Sequence, residues 1–270
     1  QGGIFYVVPQ GMYLTYAGAR RILNSVSPGS YPKFCGLEIV YSEHFPAGWQ
    51  GNFVTCDFRA NRVVRFAVDE QGSGYVTRSM PDLLRTTNVT FRPIDVKLGP
   101  DGALYIADWS NPIIQHGEVD FRDPRRDRVH GRIWRVAYKG GKTAGKMDLI
   151  KASNTELLNH LLSPNAWNER QARRVLIERA QSSPNSLETV KMDLVKWKNQ
   201  DFNDPALREM ASLRAVWMLQ ALDLVNQVNF AAVEELLRTS SARGLEIRLV
   251  FPASPNLGAI RRKCSKFLGK

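Results

Sequence analysis

One stretch recurs, and that recurrence constrains the fold more than any other feature of the chain. NFVTCDF at 52–58 matches ALYIADW at 103–109, with an Asp at the same point of each, and the strand patterns before them open at Phe34 and Phe91. RVVRFAV at 62–68 likewise corresponds to GRIWRVA at 131–137. A repeat of about fifty residues built from short β patterns indicates successive blades of a propeller, each a small antiparallel sheet. Within the second copy, Ile94–Leu98 reads as a strand, Gly99-Pro100-Asp101-Gly102 as a tight reversal, Ala103–Asp108 as its hairpin partner and Gly131–Tyr138 as a third strand. The first copy offers Phe34–Tyr41, Asn52–Asp57, Arg62–Val68 and Gly74–Met80, with a hairpin turn at Asp69–Ser73. Ile4–Pro9 (IFYVVP) reads as one strand of a preceding blade.

The repeat also places the loops. In a propeller, the connections from second to third strand and from a fourth strand to the next blade share one rim. Segments 10–33, 58–61, 81–91 and 109–130 are therefore expected on one face, together with Arg59, Asn61, Arg85, His116, Glu118, Asp120, Arg122, Asp123, Arg125, Arg126, Asp127 and His130. Two blades do not close a ring, for which a minimum of about four is usual. The exposed strand edges then require cover from other sequence or another chain, and the chain, which opens without Met inside a strand pattern, reads as a piece of something longer.

Past residue 145 the apolar period changes from two to between three and four. Asn154–Leu162, Asn165–Ala180, Ser186–Lys198, a segment from Asp204-Pro205 through Val225, and Asn229–Arg238 read as five helices. In the fourth, Ala206, Met210, Leu213, Trp217, Leu224 and Val225 carry the apolar spacing. Helices recurring in pairs fit a HEAT-like solenoid. The expected division is 1–144 for the C-terminal blades of a propeller, 145–241 for the HEAT-like repeats and 242–270 for an irregular basic tail.

Charge excludes less than its total suggests. The formal net charge is +11, yet residues 1–140 carry 17 basic and 13 acidic side chains, 141–236 carry 12 and 12, and 237–270 carry 8 and 1. The excess sits in the tail, so no general nucleic-acid-binding face is expected. No apolar run is long enough to span a membrane and no leader pattern opens the chain. Three cysteines form neither CxxC nor CxxCH, so no zinc, thiol-redox or haem site is indicated. Cys35 and Cys56 flank adjacent strand patterns, either as a disulfide or as two buried small side chains. His44 and His160 show no partners in the sequence and read as ordinary surface or helix residues, and Asn88-Val89-Thr90 matches a glycosylation sequon.

HFPAGWQGNFVTCDFRANRVVRF, RPIDVKLGPDGALYIADW, NPIIQHGEVDFRDPRRDRVHGRIWRV and the helix SPNAWNERQARRVLIERA together resemble one family, the large planctomycete-type proteins described as membrane-bound dehydrogenases. The resemblance covers roughly residues 1–240. It implies a propeller similar to the soluble quinoprotein sugar dehydrogenases, a HEAT-like array and, in full-length members, a c-type cytochrome domain. It further implies sugar or alcohol oxidation, pyrroloquinoline quinone and calcium as cofactors, a sugar or polysaccharide partner, and a periplasmic or cell-envelope location. The alternative is a non-catalytic carbohydrate- or protein-binding propeller and HEAT module, and the isolated chain is expected to be inactive.

Quinone-dependent oxidation needs a base, cations that hold an acidic cofactor, and commonly calcium. His116 and His130 are the candidate bases, because imidazole titrates near neutrality. Arg59, Arg122, Arg125 and Arg126 are the candidate cofactor clamps. Asp108, Glu118, Asp120 and Asp123 are the candidate calcium ligands. Against this stands a simpler reading of FRDPRRDRVHGR, a network of Asp and Arg pairs that pins a long loop to the rim, with Asp57 and Asp108 as structural caps on strand ends.

Overall fold

A computed structural model of the chain describes residues 3–7, 25–29, 33–71, 74–115 and 117–224. Two antiparallel sheets, of four and three strands, are followed by four helices. Strands β1 (Phe34–Ile39), β2 (Phe53–Asp57), β3 (Arg62–Gln71) and β4 (Gly74–Arg85) form the first sheet in sequential order. The second contains β5 (Pro93–Leu98), β6 (Leu104–Asp108) and β7 (Arg132–Val136), also in order. Both sheets are open; no closed ring forms among the described residues.

Strand sequences and turns explain most of this. Alternating β-branched and aromatic residues suit a pleated, half-buried surface. The expected reversal between β5 and β6 is present: the amide of Gly102 donates to the carbonyl of Gly99 at 3.0 Å, and Gly102 takes a φ of 84° that disfavours side chains. β3 continues past Val68 to Gln71, which pairs with Gly74. β4 also runs on past Met80 to Arg85, although Pro81 suggested a stop. Proline is tolerated there because β4 is an edge strand and the pairing is irregular between Val63 and Arg65. Ile4–Val7 forms no strand; Ile4 instead exchanges backbone and side-chain bonds with Val26 and Ser27 and packs on Val64 and Phe66.

The two sheets meet through their first strands. A continuous core takes Val54, Cys56 and Val63 from the first and Val96, Leu98, Leu104 and Ile106 from the second. Burying each such aliphatic side chain contributes about 1.5–3 kcal/mol. β1 approaches β5 so closely at Gly36, where φ is +60°, that a Cβ there would stand 2.8 Å from the Cα of Asp95. The Glu38 side chain on β1 accepts from the amide of Leu98 on β5 at 2.8 Å, which ties the sheets at that seam.

Two compact units divide the chain, and the division between them falls inside a helix. The first unit holds both sheets, helix α1 (Asn154–His160) and the start of α2 (Ala166–Gln181) as far as Leu176. α1 begins with a capping box between Ser153 and Glu156. The start of α2 is fastened to the sheets: the amide of Ala166 bonds the carbonyl of Tyr41, and Arg170 grips buried Glu38 with two bonds of 2.8 and 2.9 Å.

The described part of the second unit contains the end of α2, α3 (Pro184–Lys198) and α4 (Pro205–Ala221). Ser183 and Asp204 cap α3 and α4, each followed by proline at the first helical position. α3 buries Val190, Leu194 and Trp197 as its spacing predicts. α4 does not follow its expected phase: Ala206 is exposed, and the buried positions are Ala211, Leu213, Ala215, Val216 and Met218. Small alanines let that side approach its neighbours, a packing choice that counting large apolar residues overlooks. The expected fifth helix and the basic tail lie outside the described residues. No described helix is long and apolar enough to cross a membrane.

Candidate functional site

Several of the expected rim segments do converge. Arg92, buried just before β5, donates from Nε to the carbonyl of Asn111 at 2.9 Å and from Nη1 to that of Phe58 at 3.0 Å, joining loops 58–61 and 109–112. Burial lowers the Arg92 pKa, and the Asp108 charge works against that shift. Asn61, held at φ 53°, donates to the carbonyl of Phe91, while its own carbonyl receives the amide of Thr86. Residues 25–27 do not join this group; they bond Ile4 and Thr77 instead.

The long loop from 109 to 131 is built from successive turns in which an aspartate side chain accepts an amide two residues on. Asp120 takes the amide of Arg122 at 2.7 Å, Asp123 that of Arg125 at 2.9 Å, and Asp127 that of Val129 at 3.0 Å. Arg125 folds back on Asp123 with Nε and Nη2, at 2.9 and 2.7 Å. That grip, with the Arg125 amide, holds the Asp123 carboxyl at about 2. Arg126 spans the loop, donating to the carbonyls of Asp120, Gln115 and Val119. Asn111 closes the base by donating to the carbonyl of Asp127. Backbone and side-chain bonds here serve the loop itself.

The candidate bases are placed unequally. His130 is mostly exposed, at 75% of its side chain, with Nδ1 3.0 Å from Asp127 Oδ2. The amides of Val129 and His130 hold the Asp127 pKa down. His116 lies outside the described residues. Arg59 and Arg122 are exposed, on the short helical turn after β2 and in the loop respectively.

Asp108 is the best-built carboxylate of the rim and is fully engaged. Its Oδ1 accepts the amides of Arg92 and Ser110 at 2.7 and 2.9 Å; its Oδ2 accepts Trp134 Nε1 and stands 3.0 Å from Arg132 Nε. Asp57 holds the equivalent place and meets Arg62 at 3.0 Å, while its Oδ1 is buried without a hydrogen-bond partner. Asp57 pairs directly with Arg62 and Asp108 directly with Arg132, so Arg62 is equivalent to Arg132 and the sequence match at 131–137 is displaced by one residue.

These residues do not fit the implied cofactors. Asp108 is saturated, Asp123 is held with both oxygens by Arg125, Asp120 lies in a separate turn, Glu118 is exposed, and no group of three or more His, Cys, Asp or Glu among the described residues is arranged to hold a metal ion. Arg125 and Arg126 are committed within the loop.

Sequence reasoning missed other sites. His44 is buried rather than superficial: Nε2 accepts the amide of Tyr138 at 2.9 Å, so Nδ1 carries the proton and donates to the carbonyl of Lys142 at 3.2 Å. Nothing local marks that role, since its partners are 94 and 98 residues away. Cys35 and Cys56 are direct cross-strand partners but free thiols, and burial pushes Cys56 up to about 12. A cleft of about 290 Å³ opens between the end of β4 and β7, lined by Leu84, Arg85, Thr86, Asn88, Phe91, Arg132 and Trp134.

No curated protein and no solved structure matches the chain. Residues 8–140, which take in both sheets, match the family model described as a domain of unknown function, DUF7133.

Proposed function

We propose that this chain is a non-catalytic binding module, two consecutive blades of a β-propeller joined to HEAT-like helix pairs. The repeated Asp–Arg cross-strand pair, the irregular first strand in both sheets and the seam between β1 and β5 support the blade reading. The single observation that carries the functional reading is the loop at 109–131, whose aspartates and whose Arg125 and Arg126 bond the loop itself. Charges committed in this way order a surface; they do not converge on a reacting atom. The finer reading, kinship with the membrane-bound dehydrogenases of planctomycete type, keeps its support in the shared motifs and carries with it a cell-envelope location and a cytochrome domain in the full-length protein.

A second reading, sugar or alcohol oxidation, draws on one observation. Asp127 holds Nδ1 of His130, and an imidazole held at one nitrogen has the other available as a base. Titrating the protein with pyrroloquinoline quinone and calcium, then following dye reduction across a sugar panel, separates the two. We expect no quinone binding and no reduction. Turnover with any sugar, abolished by His130→Gln, would establish oxidation and end the non-catalytic reading.

A further inference from the structure

The two sheets differ by one strand. β3 and β7 occupy the same place, each pairing its first arginine with the aspartate that ends the preceding strand. β3 is covered on its far side by β4; among the described residues β7 is the edge of its sheet. Their side chains differ as well: Val63 lies in the core between the sheets and Val64 packs with Ile4 and Phe66, at 0% and 3% exposure, whereas their equivalents Ile133 and Trp134 are 70% and 40% exposed. Natural sheets usually blunt such an edge with lysines, prolines or bulges. Here Arg132 and Arg135 lie on the edge strand, yet each is already paired, with Asp108 and Asp101, and the strand contains no proline.

We infer that the edge of β7 is a docking site for an extended segment of a partner protein, which adds as a fourth antiparallel strand and sets an acidic side chain against Arg132. Strand addition of this kind takes affinity from main-chain hydrogen bonds and selectivity from alternate side chains. β4 supplies the template for the occupant's chemistry. Its Asp82 stands 3.6 Å from Arg62, which also holds Asp57, so the first sheet already shows a carboxylate from the fourth strand completing this arginine. In the second sheet, Arg132 bonds Thr90 and Ser110 through Nη2, and among the described residues Nη1 makes no bond. The cleft beside Arg132 and Trp134, lined also by Phe91 and Leu84, leaves room for an incoming side chain. This inference deepens the binding-module reading but does not depend on the state of the loop at 109–131.

The test uses the full chain and a synthetic peptide with the β4 sequence, GYVTRSMPDLLR, as probe. Fluorescence anisotropy of the labelled peptide should show saturable binding, and hydrogen exchange should show new protection at the Ile133 and Arg135 amides. Replacing the peptide's aspartate (Asp82→Asn) should weaken binding about fivefold, the upper range for a partly exposed ion pair. Ile133→Lys, at a position exposed enough to leave folding intact, should remove the binding; circular dichroism checks the fold. Protection absent from β7 with either peptide would overturn the inference, as would self-association of the chain through β7, which would make a second copy the occupant. Dye reduction by the quinone-loaded protein would leave this result standing, so the two readings fail separately.

Discussion

The two sheets share a register and differ in their neighbours. In the first, β4 shields β3, and Arg62 lies between two carboxylates, Asp57 and Asp82. In the second, no described strand pairs with the outer side of β7, and Arg132 depends on Asp108, whose other contacts hold the loop and Trp134. One motif thus does two jobs. Where a fourth strand is present, the Asp–Arg pair is one link in a shared ion network; where it is absent, the aspartate becomes the hub that fixes a long loop to the sheet.

The largest effect should come from breaking the two hubs in turn. Asp108→Ala removes the acceptor of three hydrogen bonds, leaving the amides of Arg92 and Ser110 and the Trp134 indole unpaired, and should cost about 3–5 kcal/mol, at about 1–3 kcal/mol for each unsatisfied donor. Asp57→Ala should cost less, about 1–3 kcal/mol, because Arg62 retains Asp82. Urea denaturation of both variants decides it; equal losses would show that the two pairs are not used differently.

A smaller contrast concerns the third strands. Val63→Ala opens space in the shared core and should destabilise by about 2 kcal/mol, while Ile133→Thr on the bare edge should change stability by less than about 0.5 kcal/mol. Thermal unfolding of the pair sharpens the comparison, and a large loss at Ile133 would mean that the edge is covered.

The smallest effect is acid loosening of the loop. Asp123 has its folded pKa depressed to about 2, below the value of about 3.9 for an unfolded aspartate, so its bonds are fully present above the unfolded value and disappear as pH falls through the folded one. The Arg125 amide should therefore remain protected from pH 5 to near 3 and lose protection toward 2. Loss already between pH 5 and 4 would mean that the turn at Asp123 is not what orders the loop.

Local pattern was legible where a contact lies within a few residues or one strand pairing. The Gly99–Gly102 reversal, the caps at Ser153, Ser183 and Asp204, and the stripe of Val190, Leu194 and Trp197 all follow from short-range chemistry. The Asp and Arg pairs in the loop belong here too, since Asp123 and Arg125 are two residues apart. Long-range partners were not legible. Glu38 and Arg170 are 132 residues apart, and neither position breaks its element's pattern in a way that names the other. The one-residue displacement between β3 and β7 was itself legible: RVVRFAV at 62–68 matches RIWRVAY at 132–138 with arginine on arginine and apolar on apolar, and Gly131 precedes the strand.

By itself, the order of residues determined the repeat, the types of the seven described strands and four described helices, and the turn chemistry of the charged loop, because each depends on backbone preference and near neighbours. Only the tertiary structure decided which edge is bare, that Asp108 is a saturated anchor and that His44 is buried. Those outcomes depend on what distant segments bring to a position, and a side chain's burial and bonding are properties of its surroundings.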